Sequence, residues 1–199
     1  MTLESILKDI KNKVYYPVYF LQGEEPYFID VISDYIEKNI LSDTEKEFNQ
    51  SVLYGKETDA INVISYAKRY PMMSNHQVVI VKEAQEIKNI EPFVSYLENP
   101  LKSTILVLCY KYKSVDKRTK LAKTLADKSV FFDSKKMYDN QVPAWVSQYL
   151  SGKSYQINPK AALLLSEYLG NDLSKIANEL GKLMLNVPSS AEITVQHIE

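Results

Sequence analysis

The stretch Val78-Val79-Ile80-Val81 is apolar at every position, and so is the centre of the run from Thr104 to Tyr110. Side chains alternate between the two faces of a strand, so a strand can be apolar throughout only where both faces are covered. That condition favours a mostly parallel sheet clothed in helices, and the intervening sequence supplies them. Phe28, Ile29, Ile32, Tyr35 and Ile36 recur at helical spacing, as do Ala60, Val63, Ile64 and Ala67. Ile90, Phe93, Val94 and Leu97 mark a further helix, and Leu121, Ala122 and Leu125 another. Strands are expected at Val18–Leu21, Phe48–Tyr54, Val78–Val81, Thr104–Tyr110 and Val130–Phe132. The expectation is an α/β domain with a Rossmann-type parallel sheet of five strands and flanking helices, preceded by an amphipathic helix carrying Leu3, Ile6, Leu7 and Ile10.

From about residue 137 every periodic segment is helical. Val142, Trp145, Val146, Tyr149 and Leu150 form one stripe. Asn158-Pro159 reads as an N-cap with a first-turn proline opening a second helix, which Gly170 ends. Leu173, Ile176, Ala177, Leu180 and Met184 form a third. The expected division is an α/β domain over 1–138 and a small three-helix domain over 139–199. Thr194 reads as the cap of a helix that stops after one turn, which suggests a chain ending inside a longer protein.

With 45% hydrophobic residues, 25% charged residues and a net charge of -1, bulk electrostatics does not draw the chain to nucleic acid or anionic membrane. No segment approaches the roughly 20 apolar residues needed to span a bilayer. The single cysteine, Cys109, lies inside an apolar run, which fits a reducing, cytoplasmic setting. His76 and His197 are far apart in sequence, so no metal, cofactor or catalytic set is expected from them.

A sheet of this type invites a test for nucleotide binding. A phosphate loop needs a glycine, four residues, then Gly-Lys-Ser/Thr, so that backbone N–H groups cradle phosphates and the lysine pairs with them. After the first strand the chain has Gly23-Glu24-Glu25-Pro26-Tyr27-Phe28-Ile29-Asp30. The second glycine and the lysine are missing, Pro26 removes a donor, and Glu24 and Glu25 would repel a triphosphate where they instead complement a helix dipole. Gly152-Lys153-Ser154 and Gly55-Lys56 lack the earlier glycine and read as turns. The strand that should end in a Mg²⁺-handling Asp-Glu ends in Lys82-Glu83. No nucleotide is expected at this loop, and a binding or assembly module is favoured over an enzyme.

Before the third strand comes Tyr70-Pro71-Met72-Met73-Ser74-Asn75-His76-Gln77. Proline ends the preceding helix. Two adjacent methionines in a short link cannot easily share one core. Either one fills a gap beneath the sheet, or the pair forms a protruding apolar knob suited to a partner's pocket.

These segments together resemble the delta subunit family of the bacterial DNA polymerase III clamp loader. The resemblance covers essentially the whole chain. It rests on Tyr16-Pro-Val-Tyr-Phe-Leu-Gln-Gly-Glu-Glu-Pro-Tyr27, Pro71-Met-Met-Ser74, Asp116-Lys-Arg-Thr-Lys120 and Leu169-Gly-Asn-Asp-Leu173. It implies an AAA+-like fold without a working phosphate loop and a helical lid domain. It also implies a non-catalytic part of a DNA polymerase holoenzyme, a nucleotidyltransferase complex, that helps open the sliding clamp (beta) during DNA replication. Two adjacent apolar residues enter a clamp pocket in that family. They match Met72 and Met73, flanked by Tyr70 and Pro71, although bulkier Leu or Phe often stands there. The other clamp-loader subunits are implied partners, and the family's collar domain would follow residue 199. An ATP-hydrolysing motor of the same fold and a structural scaffold are the competing readings.

Residues 1–60 hold 12 acidic and 6 basic side chains, whereas 110–136 hold 9 basic and 3 acidic. The second stretch is either a solvated face or a surface for DNA phosphates or a neighbouring subunit, with Lys111, Lys113, Lys117, Arg118 and Lys120 as its members.

Overall fold

The computed structural model describes residues 1–198. The chain divides into two compact units, Met1–Lys135 and Lys136–Glu199. The division falls a few residues before the boundary expected at 138/139, because the last strand of the first unit ends at Ser134.

In the first unit, α1 (Leu3–Lys11) is capped by Thr2 and precedes β1 (Val18–Gly23). Then come α2 (Pro26–Asn39), α3 (Asp43–Asn49), β2 (Gln50–Tyr54), α4 (Ala60–Ala67), β3 (Gln77–Lys82), α5 (Phe93–Glu98), β4 (Thr104–Lys111), α6 (Lys120–Lys128) and β5 (Val130–Ser134). All pairings in the sheet are parallel, in the order β2-β3-β4-β1-β5. This is the five-stranded α/β sheet that the doubly apolar strands require.

The alternation within each strand builds two cores. Val18, Phe20, Val79, Val81, Leu106 and Leu108 face α4, α5 and α6, meeting Val63, Phe93, Leu97, Leu121 and Leu125. Tyr19, Leu21, Val78, Ile80, Ile105, Val107 and Cys109 face the other way and meet Ile6 and Ile10 of α1 and Ile29, Ile32 and Ile36 of α2. A one-residue slip of register would exchange the two sets, so the apolar pattern fixes the pairing.

The second strand is shorter than expected. Phe48 and Asn49 are not its first residues; they close α3, and β2 begins at Gln50. The cause is local: the Glu45 carboxylate reaches back to accept the backbone N–H and the hydroxyl of Ser42 at 2.8 and 2.7 Å, starting a helix at Asp43. Ile90 likewise lies outside α5, which starts only after Pro92.

In the second unit, α7 (Val142–Ser151), α8 (Pro159–Leu169) and α9 (Leu173–Asn186) are the three expected helices. The Asn158 side chain accepts the Lys160 N–H at 2.9 Å, and Gly170 closes α8 with φ +68°. The reading of this unit as purely helical is refined by a two-residue parallel pairing of β6 (Gln156–Ile157) with β7 (Glu192–Ile193), which buries both isoleucines. Gly152-Lys153-Ser154 is the turn that ends α7.

Candidate functional site

In a parallel α/β sheet, ligands gather outside the carboxyl ends of the strands where the strand order reverses. Here β1 lies between β4 and β5, which places Gly23-Glu24-Glu25-Pro26 at that point. The loop is zipped onto β5. Glu25 donates its N–H to the Ser134 carbonyl at 3.3 Å, and the Ser134 hydroxyl donates to the Glu25 carbonyl at 2.7 Å. The buried Glu25 is the N-cap of α2, its carboxylate accepting the Tyr27 N–H at 3.0 Å, and Pro26 has no N–H to offer. The Glu25 and Tyr27 N–H groups are thus engaged within the chain and do not face a phosphate. Gln22, also buried, accepts the Val115 N–H at 2.9 Å and donates to Asp133 at 3.3 Å, tying the loops after β1, β4 and β5 together.

The neighbouring strand ends are filled by ion pairs. Lys82, standing where a metal-handling aspartate would be needed, meets Asp34 at 3.1 Å and Glu37 at 3.0 Å. Burial pushes its ammonium pKa down, but hydrogen bonds and charge from Glu37 and Asp34 outweigh that and hold it above the usual lysine range. Lys111 at the end of β4 meets Asp30 at 2.6 Å. Asp30, Asp34 and Glu37 lie four and three residues apart, on one face of α2. Burial drives the Cys109 thiol beneath them up to about 12, so it is an inert core residue. No group of three or more metal-ligating side chains occurs among the described residues.

The link between α4 and β3 is built differently. Met73 is fully exposed at 103% and Met72 is 62% exposed, with Tyr70 at 77% beside them. Met73 sits in the left-handed region at φ +53°, where few residues other than glycine rest unless their surroundings impose it. The constraint comes from α3. The buried Asn49 amide accepts the Met72 N–H at 2.6 Å and donates back to the Met72 carbonyl at 2.9 Å, pairing as another strand would. Glu45 of the same helix accepts from the Ser42 hydroxyl and N–H, and these bonds, with a smaller contribution from the Ser74 side chain, hold its carboxyl below the usual glutamate range.

The ends of the link are pinned as well. The Gln77 amide donates to the Tyr66 carbonyl at 3.0 Å and to the Arg69 carbonyl, and the Thr104 hydroxyl donates to the Ala67 carbonyl at 2.8 Å. These bonds satisfy the carbonyls that a helix C-terminus leaves over. His76 packs edge-on against Tyr15 with ring centroids 5.3 Å apart. The two methionines are therefore displayed on a braced turn.

Two predictions arise here. Asn49→Ala leaves the Met72 N–H unpaired in a half-buried setting and should cost about 1–3 kcal/mol, read by urea denaturation and by faster hydrogen exchange at Met72. For Glu45, a folded value below the ordinary 4.5 means that its cap on α3, the helix that holds Met72, is fully present above that pH and is lost as pH falls through the depressed value. Acid titration should broaden the Met73 methyl signal in that window, and Glu45→Gln should abolish the pH dependence.

Of the five cations singled out in the basic stretch, three are already partnered. Lys111 pairs with Asp30; Arg118 with Asp116, at 2.8 Å; and Lys120 with Glu98, at 3.2 Å. Lys113 and Lys117 make no ion pair among the described residues and are exposed. Asn49, Glu45 and Phe48 were not predicted as site residues. The Ser42-x-x-Glu45 capping pattern was the signal that could have located α3.

A family model described as DNA polymerase III, delta subunit matches residues 19–135. The chain belongs to that family. The DNA polymerase III subunit delta of Bacillus subtilis (strain 168) is 26% identical over 204 residues, which cover 98% of this chain and 59% of the relative. The chain thus spans about three fifths of that relative's length. Among solved structures, the Bacillus subtilis DNA clamp loader delta protein superposes with a TM-score of 0.77 at 24% identity, over 99% of this chain and 61% of that one. A variant of Thermotoga maritima RuvB superposes with a TM-score of 0.51 at 12% identity, over 98% and 65%. At these identities the two structures establish the fold, and the AAA+-like architecture of the delta family is the one seen here. No helix among the described residues is long and apolar enough to cross a membrane.

Proposed function

We propose that the chain is a non-catalytic clamp-loader subunit that binds the DNA sliding clamp and helps to open or hold it for loading. Met72 and Met73, flanked by Tyr70 and Pro71, enter an apolar pocket on the clamp. The observation that carries this reading is the pair of exposed methionines on a turn held by Asn49. A pre-ordered apolar anchor loses little conformational entropy on docking, and a few such anchors can dominate the affinity of an interface. The clamp is driven open only so far as the subunit engages the open form better than the closed one. Nucleotide hydrolysis belongs to other subunits, whose assembly with the full-length protein is part of the proposal. In that assembly Lys113 and Lys117 are, of the five cations singled out, the two left to meet DNA phosphates or a neighbour.

The competing motor reading is tested by thermal denaturation with about 1 mM Mg²⁺-ATP. A site with a Kd of about 10 μM would add about 2.7 kcal/mol and raise Tm by several degrees. The expected shift is under about 1 °C, because the Glu25 and Tyr27 N–H groups and the Lys82 and Lys111 ammonium groups are already engaged. Clamp binding itself is read by equilibrium titration of the chain against the sliding clamp from the same genome. Binding unaffected by Mg²⁺-ATP is the expected result, and no binding would contradict the proposal.

A further inference from the structure

The links that enter β3 and β4 lie side by side. Both strands begin at the same edge of the sheet, with Gln77 registered against Thr104, and the Gln77 N–H donates to the Ser103 carbonyl at 2.9 Å. The Gln77 amide donates to the Thr104 hydroxyl at 2.8 Å, and that hydroxyl donates to the Ala67 carbonyl, also at 2.8 Å. The link that carries the methionines, residues 68–76, is thereby locked beside the link over 99–103. Residues of both line one groove of about 650 Å³, within the roughly 300–1,000 Å³ of pockets that take small ligands. Lys68 and Tyr70 line it from the first link, Pro100, Leu101 and Lys102 from the second, and Tyr96 from α5. Tyr70 belongs to both features: it lines the groove and stands two residues before Met72.

The charge of this edge is one-sided. Over 66–77 and 99–104 the chain carries Lys68, Arg69 and Lys102 and neither aspartate nor glutamate. All three cations are exposed, and none makes an ion pair among the described residues. Arg69 lies over the Tyr66 ring, 4.0 Å from its centroid, which orders the guanidinium without neutralising it. At the opposite edge of the sheet the chain behaves otherwise, since Lys82 and Lys111 are matched by carboxylates of α2. Unmatched cations around a groove with tyrosine, proline and leucine walls suit a segment that brings carboxylates together with an apolar side chain.

We propose that this groove receives an acidic segment of the sliding clamp, beside the pocket that takes Met72 and Met73. This rests on the clamp-binding reading above. Lys68 and Lys102 meet the carboxylates of that segment, and Tyr70, Pro100 and Leu101 flank its apolar part. Because the groove and the methionine turn share Tyr70 and one edge of the sheet, a partner seated on the methionines is brought against the groove. Attraction of this kind acts chiefly on the association rate and is screened by salt.

The test is a kinetic and equilibrium titration of the sliding clamp from the same genome, at about 50 and about 500 mM salt. It compares wild type with Lys68→Gln/Lys102→Gln, Lys68→Glu/Lys102→Glu, Met72→Ala/Met73→Ala and Lys56→Gln/Lys88→Gln. Lys56 and Lys88 are exposed on the links that follow β2 and β3, at the other edge of the sheet, and control for net charge. The expected result at low salt is about tenfold slower association and weaker binding for the glutamine pair, and about tenfold more for the glutamate pair. The Lys56→Gln/Lys88→Gln control should match wild type, and the association rates should converge at high salt. The urea midpoint of Lys68→Gln/Lys102→Gln should equal that of wild type, since both side chains are exposed. Unchanged binding in the glutamate pair, alongside a large loss in the methionine variant, overturns the groove and leaves the clamp reading standing. An equal loss in the control reduces the effect to net charge and overturns the groove as well. Absence of clamp binding by wild type overturns both readings. Binding of a labelled primer–template DNA that Lys68→Glu/Lys102→Glu abolishes, while clamp binding persists, assigns the groove to nucleic acid and overturns the proposal.

Discussion

Replacing Met72 and Met73 together by alanine should weaken binding to the sliding clamp by about 30- to 1000-fold. Two thioether side chains moved from water into an apolar pocket contribute about 2–4 kcal/mol together, and each 1.4 kcal/mol is tenfold in affinity. The fold should not notice. The bonds that hold the turn run to the backbone of Met72, so alanine keeps them, and neither side chain belongs to a core. Urea denaturation should therefore give a stability within about 0.5 kcal/mol of wild type, as for substitutions at exposed sites away from special features. Met73→Ala should cost more than Met72→Ala, since Met73 is the more exposed and has more surface to bury. A loss under about threefold in the double variant would leave the scaffold reading in its place.

The largest effect on stability is expected from Gly23→Ala. A Cβ at this position would lie 2.0 Å from the Ser134 carbonyl oxygen and 2.7 Å from the Ser134 backbone carbon and nitrogen, and φ is +133°. Those atoms are backbone of the paired strand β5, so no side chain can swing away to make room. Either β1 and β5 separate at their carboxyl ends or the zipper between Glu25 and Ser134 opens. The expected cost is about 3–5 kcal/mol, a large part of the 5–15 kcal/mol typical of a domain. It would appear as a lower urea midpoint with an unchanged slope. A cost under about 1 kcal/mol would contradict this account of the loop. The glycine thus has a structural use that involves no phosphate, which is why a glycine alone at this place in an α/β fold says little about nucleotide binding.

The strand interiors were legible because burial on both faces leaves a mark at every position, as in Val78–Val81. The cap on α2 was legible too: Glu25-Pro26 after a strand is a local signal, and Glu25 makes the cap. What failed was of two kinds. Phe48 reads as strand because it precedes the β-branched Val52 and the aromatic Tyr54, while the short-range bond from Glu45 to Ser42 decides for a helix. Asn49 and Lys111 failed for a different reason. The asparagine's partner is 23 residues away and the lysine's is on α2, so neither pairing leaves a periodic trace. Lys111 reads as surface charge in sequence and is a largely buried ion-pair member in the fold.

The most direct measurement follows the methionines themselves. The chain labelled at methionine methyl carbons is titrated with unlabelled sliding clamp, and Met184 of the second unit serves as the internal reference. The expected result is that the Met72 and Met73 signals shift or vanish in step with complex formation while Met184 keeps its position. Binding of the clamp with both turn signals unmoved would contradict the claim that the Tyr70–Ser74 turn, and not the glycine loop, is the working surface.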